Sequence, residues 1–274
     1  MLRKLRIAAA LLCFAPLTLL FLDFTGTAHR WFGWLAKVQF LPALLAANLA
    51  IVAALVLLTL LFGRIYCSTL CPLGVFQDVV SWISGRRKKN RFSPSPERRA
   101  LRYGTLAIFA VLLLGGFGSV FALLDPYGAY GRMVASLLGP VYGWGNNLLA
   151  RLAARADSYA FYSVDVWLKG AGTLAVAAAT FAALAVLTWR NGRTYCNTLC
   201  PVGTILGTLS RFSLLKPRIA ASRCNRCGLC ACNCKAACID PAASRVDYSR
   251  CVVCLNCTVN CRKGALTYTL RNHA

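Results

Sequence analysis

Acidic residues are scarce: Asp and Glu number 8 in 274 residues, against 31 Lys and Arg, for a formal net charge of +23. No nucleophile–base arrangement, phosphate loop or dinucleotide fingerprint occurs, so catalysis by the chain's own side chains has no support. No nucleic-acid motif accompanies the basic charge, which leaves anionic lipid and acidic partners as its counterparts. Histidine is nearly missing. His29 stands alone in a connecting segment and reads as a surface residue, and His273 lies at the end of the chain. Above all, charge is missing from long stretches of a sequence that is 58% hydrophobic.

A helix crossing a bilayer needs roughly 20 apolar residues. Four segments approach or meet that length: 7–22, 40–62, 103–124 and 170–189. No A-x-A cleavage site follows the first, so it reads as a retained span, not a secretory signal. Basic clusters flank the spans at "RKLR" (3–6), at "RRKKNR" (86–91) and throughout the chain from Lys216. The excess of Lys and Arg on the cytoplasmic side predicts four transmembrane helices in the inner membrane with both termini inside. Segments 23–39 and 125–169 then face outward, and "NNLLARLAARADSYAFY" in the second reads as an interfacial amphipathic helix.

The sequence contains an internal repeat. "GRIYCSTLCPLG" (63–74) returns as "GRTYCNTLCPVG" (192–203), which places Cys67 and Cys196 129 positions apart, and likewise Cys71 and Cys200. Each copy follows an even-numbered span. The expected architecture is two parallel span pairs, 1–85 and 101–215, related by a pseudo-two-fold axis along the membrane normal. A basic linker, 86–100, joins them. After each motif a short helix is expected on the inner membrane surface.

The tail, 216–274, holds two cysteine runs. Cys224, Cys227, Cys230 and Cys234 are spaced C-x2-C-x2-C-x3-C, and so are Cys251, Cys254, Cys257 and Cys261. This is the bacterial two-cluster ferredoxin spacing, in which the fourth cysteine of each run ligates the other cluster. One 4Fe-4S cluster would take Cys224, Cys227, Cys230 and Cys261, and the other Cys251, Cys254, Cys257 and Cys234. Disulfides are disfavoured on the reducing side of the membrane, and zinc usually takes two C-x2-C pairs. Two departures stand out. Lys235 and Arg262 replace the proline that usually follows the fourth cysteine, and Cys232 and Cys238 are additional. Cys238 is an alternative to Cys234 as ligand.

In combination, "YCSTLCPLG", "YCNTLCPVG" and the two cysteine runs resemble the NapH/MauN-type membrane ferredoxins, a group related to the membrane parts of NosR-like and CcoG-like proteins. The resemblance implies electron transfer between the quinone pool, or a cytoplasmic donor, and a partner redox complex, in the manner of a quinol-dehydrogenase 4Fe-4S subunit. The CcoG-like members imply a different role, copper handling or metal-centre assembly. A quinone site is implied as well. Asp23, His29 and Gln39 near the outer face, and Gln77 and Asp78 near the inner one, are the polar residues available to it.

The C-x3-C-P motifs leave three readings open. Pro72 and Pro201 push the preceding cysteine out of helix and suit the first position of a new one. Each second cysteine then sits at a helix N-terminus, where the dipole favours a thiolate or an anionic cluster. Cys67, Cys71, Cys196 and Cys200 could share one metal centre, either a further iron–sulfur cluster or copper. They could form two redox dithiols, or they could simply pack, as Cys13 does in the first span.

Overall fold

The computed structural model describes residues 1–87, 92, 96–116, 122–155, 161–168 and 170–270. Two helices, Leu2–Leu22 and Ala171–Asn191, are long and apolar enough to cross a membrane. Each has 21 residues and so runs about 31 Å, matching a hydrocarbon core of about 30 Å. Leu5, Leu11, Leu12, Val176, Phe181 and Val186 on their outer faces are exposed. Apolar surface of this kind is disfavoured in water and neutral in lipid.

The other two expected spans take a different form. Segment 40–62 is two helices, Phe40–Leu45 and Leu49–Phe62. Between them Ala47 takes a positive φ of 50°, and the Asn48 side chain accepts from the Ile51 N–H, starting a new helix. The second helix has 14 residues, about 21 Å, which is short of a span. The third segment begins earlier than its apolar run, as helix Arg99–Leu114. It stops at Gly115 and at Gly116, whose φ is 73°, where the Gly115 and Gly116 N–H groups close onto Val111 and Leu113. Residues 117–121 lie outside the described set.

The connections expected to face outward fold back instead. Helix Thr27–Lys37 returns along the first helix and packs Leu35 against Leu17 and Leu20. This brings Gln39 beside the first cysteine motif, not to the far face: its Nε2 donates to the Leu70 carbonyl (3.2 Å) and its Oε1 accepts from the Tyr66 hydroxyl (3.0 Å). Helix Pro126–Met133 does the same in the second half, and Tyr130 and Met133 join Cys71 and Cys200 in the central core. A π-helical turn, Val134–Leu138, then leads into helix Gly139–Arg155, which covers the start of the expected interfacial helix.

The helices after the two motifs, Pro72–Arg87 and Pro201–Ser210, are not surface helices. Leu73, Val75, Gln77, Val202, Thr204 and Leu206 are all buried, because other helices cover them: Leu2–Leu22, Pro126–Met133 and Ala171–Asn191 pack on the first, and Leu49–Phe62 and Arg99–Leu114 on the second. Two antiparallel pairs shape the tail: β1 (Leu215–Ile219) with β4 (Leu266–Leu270), and β2 (Ile239–Asp240) with β3 (Arg245–Val246). Its small core contains Ala231, Cys234, Cys238, Ile239, Val252, Cys254, Cys257 and Leu266. The tail is fastened to the motif face by backbone hydrogen bonds, Leu214 N–H to Leu60 O (2.8 Å) and Arg193 N–H to Lys235 O (2.7 Å). In the linker, the Phe92 N–H donates to the Cys232 carbonyl.

Gly192 makes this docking possible. Its φ is +67°, and a Cβ there would lie 2.4 Å from the Lys235 carbonyl oxygen. Gly192→Ala is expected to cost about 2–3 kcal/mol, from a left-handed backbone plus a backbone clash. Thermal unfolding in detergent should show a lower midpoint, with faster proteolysis of the tail. Gly33→Ala, inside a helix with open space around it, should lower neither.

Candidate metal centre

The repeated motif folds the same way twice. Leu49–Phe62 and Ala171–Asn191 end on Gly63 and Gly192, both at positive φ. An arginine follows, then a one-turn helix carrying the first cysteine: Tyr66–Thr69 with Cys67, and Thr194–Thr198 with Cys196. Cys200 then takes an extended backbone (φ −77°, ψ 117°), as Pro201 requires, and caps the next helix. Its Sγ accepts the Gly203 N–H at 3.3 Å, and the Gly74 N–H serves Cys71 in the same way.

Cys67, Cys71, Cys196 and Cys200 are 3 to 5% exposed. Burial, and after it the neighbouring cysteines, push the Cys71 and Cys200 thiols up; burial does the same to Cys196. Cys67, Cys71 and Cys200 belong to one buried core, and Cys196 lies near enough to act on Cys200. Four thiolates crowded there without a cation would be prohibitively costly.

Two arginines, both fully buried, brace this region by crossing between the repeats. Arg64 of the first repeat donates to the Cys196 carbonyl (3.1 Å) and to Asn197 Oδ1 (2.9 Å) of the second. Arg193 of the second donates to the Cys67 carbonyl of the first (2.6 Å). The last glycine of each motif leaves room for them. A Cβ on Gly74 would fall 2.9 Å from Arg193 Nη1, and one on Gly203 would fall 2.8 Å from Arg64 Nη2. The sequence analysis did not single out these arginines, although the repeated "GR" preceding each motif carries them.

Asp78 lies between three cations: Arg6 at 2.8 Å, Arg193 at 3.0 Å and Lys235 at 3.2 Å. Burial would raise its pKa, but Arg193, Lys235 and Arg6 together hold the carboxyl well below the usual carboxylate range. Gln77, beside it, accepts from Cys196 Sγ at 3.4 Å through Oε1, while its Nε2 is buried with no partner. An unfilled donor against four buried thiols fits a sulfide-bearing group. Among the described residues, no three His, Cys, Asp or Glu side chains are placed to hold a single metal ion. Asp23 and His29 pair at 3.3 Å just past the first helix, with the imidazole exposed and the carboxylate largely covered.

In the tail, Cys234, Cys238, Cys251, Cys254 and Cys257 line one small apolar cavity. Both candidates for its fourth ligand are therefore present, with Cys234 Sγ and Cys238 Sγ 3.5 Å apart. Hydrogen bonding from Cys238 lowers the Cys234 pKa, and the same bond raises that of Cys238. Cys224 and Cys227 lie near enough to influence Cys230. Cys261 ends helix Asn256–Asn260, which packs on the helix Leu229–Cys232 that carries Cys230 and Cys232.

A family model described as a 4Fe-4S binding domain matches the chain twice, at residues 44–91 and 173–220. The offset is again 129 positions, and the matches take in both C-x3-C-P motifs. Among curated proteins, the NapH ferredoxin-type protein of Escherichia coli is 27% identical over 69% of this chain and 53% of its own length. The methylamine utilization ferredoxin-type protein MauN of Methylorubrum extorquens is 28% identical over 65% and 50%. YccM of Escherichia coli, named provisionally as an electron transport protein, is 25% identical over 71% and 47%. The chain is thus similar to ferredoxin-type proteins of the NapH and MauN kind. It spans about half the length of the curated relatives it matches, and no solved structure matches it. The matched cluster-binding signature coincides with the four buried cysteines and the crossing arginines.

Asp78→Asn would leave Arg6, Arg193 and Lys235 without their shared counter-ion. The expected loss is about 3–5 kcal/mol, read as a lower thermal midpoint. The folded carboxyl titrates below its unfolded value of about 3.9, so its stabilisation is complete above about pH 5 and is lost as pH falls through the depressed folded pKa. The gap between wild type and variant should be constant from pH 5 to 8 and narrow below about pH 4.

Proposed function

We propose that this chain is an integral inner-membrane iron–sulfur electron carrier, with its termini and tail on the cytoplasmic side. It holds a 4Fe-4S cluster on Cys67, Cys71, Cys196 and Cys200, and two more in the tail on the sets read from the spacing, with Cys234 as the crossing ligand. The observation that carries this reading is the joint burial of four cysteines from both repeats where the cluster-binding model matches. The two long apolar helices and the basic clusters support the membrane placement. Quinone, and a partner redox complex, are the proposed ends of the chain of carriers.

When bound, such clusters supply reversible one-electron exchange. The protein's residues do the rest. Eight backbone-positioned cysteines in the tail and four at the motifs supply thiolates. Arg64 and Arg193 fix the carbonyls of Cys196 and Cys67 and set positive charge beside an anionic site. Gln77 offers an N–H to it, and hydrogen bonds to a cluster and its net charge tune potential. Burial keeps water out. Two hydrogen bonds join the motif loop to the segment carrying Cys234: Arg193 N–H to Lys235 O and Asn197 Nδ2 to Ala236 O (3.1 Å).

Anaerobic purification in detergent, with iron and sulfide analysis and EPR on stepwise reduction, tests the reading. About twelve irons per chain are expected for three cubanes, falling to about eight in Cys67→Ser/Cys196→Ser. Unchanged iron in that variant would overturn the shared cluster. Copper bound in place of the missing iron would favour the copper-handling role instead.

A further inference from the structure

An open groove of about 800 Å³ lies on the tail. Four guanidinium groups rim it: Arg211, Arg218, Arg245 and Arg250. Two carboxylates also line it, and both are already engaged. Asp247 takes Arg250 at 2.8 Å and the Ser249 hydroxyl at 2.7 Å, and Asp240 caps the Ala242 and Ala243 N–H groups. Of the arginines, Arg250 is engaged by Asp247, Arg245 is exposed, Arg211 lies 3.8 Å from Glu97, and Arg218 Nε is buried with no partner among the described residues.

The wall behind this rim is apolar and thin. Cys238, Ile239 and Val246 line the groove and, on their other side, the small cavity among Cys234, Cys251, Cys254 and Cys257. A molecule seated in the groove is therefore one residue layer from the second cysteine run. An apolar floor inside a ring of guanidinium groups also has the anatomy of a protein-docking patch, with a polar rim that steers and orients.

We propose that this groove is the docking surface for an acidic, soluble electron-carrier protein. The inference rests on the reading of the second cysteine run as a cluster site. Charge complementarity favours the acidic partner: from Lys216 to Ala274 the tail has ten Lys or Arg against Asp240 and Asp247. The shared wall favours a redox partner over a lipid headgroup, which needs no approach to the cysteines.

The test uses the full chain in detergent, with oxidised flavodoxin, an acidic FMN protein, as the probe. Binding is measured at low and high salt for wild type, for Arg211→Glu/Arg245→Glu, and for Arg151→Glu/Arg155→Glu, which makes the same net-charge change on helix Gly139–Arg155. The groove variant is expected to bind about tenfold or more weakly and to lose most of its salt dependence, while the control binds as wild type does. Equal weakening in both variants, or in neither, overturns the proposal. So does a groove variant that loses binding to phosphatidylglycerol vesicles while keeping flavodoxin, since the site would then be for headgroups. Iron and sulfide content of the same preparations reports separately on the cluster reading: a tail without iron that still binds flavodoxin through the groove removes that reading and keeps the docking surface.

Discussion

The exchange of buried arginines between the two repeats holds the centre of this protein together. A guanidinium stays charged in the interior and must be answered there by acceptors. Arg64 finds its acceptors on Cys196 and Asn197, and Arg193 finds Cys67 and Asp78. Neither repeat can satisfy its own arginine in this arrangement. The glycines at 74 and 203, the turns at Gly63 and Gly192, and the placing of the four thiols all follow from bringing each arginine across to the other copy.

The same charges recruit the tail. Arg64 also donates to the Ser249 carbonyl (3.1 Å), and Arg102, from helix Arg99–Leu114, adds bonds to the Ser249 carbonyl and hydroxyl. Lys235 completes the group around Asp78. The tail is thus part of the polar interior of the membrane-proximal half, and the two sets of cysteines sit in one continuous structure.

Much of this was legible in the sequence. The doubled motif announced the repeat, and the prolines announced the extended cysteine at a helix start. The cysteine runs marked the tail, whose second run the fold gathers around one cavity. Hydropathy was less reliable. It does not register that Asn48 caps a new helix, or that Gly115 and Gly116 end one, so two apolar runs read as unbroken spans. Nor does it register that Gln39, read as lying near the outer face, is buried beside the first cysteine motif. Arg64 and Arg193 carry no signal beyond the repeated "GR", and Arg102 lies among basic residues that read as orienting charge, yet all three are structural acceptor-seekers inside the fold.

The crossing has a consequence for how the protein comes apart. Removing one repeat strands the other's guanidinium without its acceptors and opens the face that the tail covers. The two halves therefore melt as one cooperative unit despite their separate hydrophobic helices. A cut in the linker between them would leave a nicked but intact molecule, because what holds the halves is the reciprocal debt of two buried charges and not the peptide that joins them.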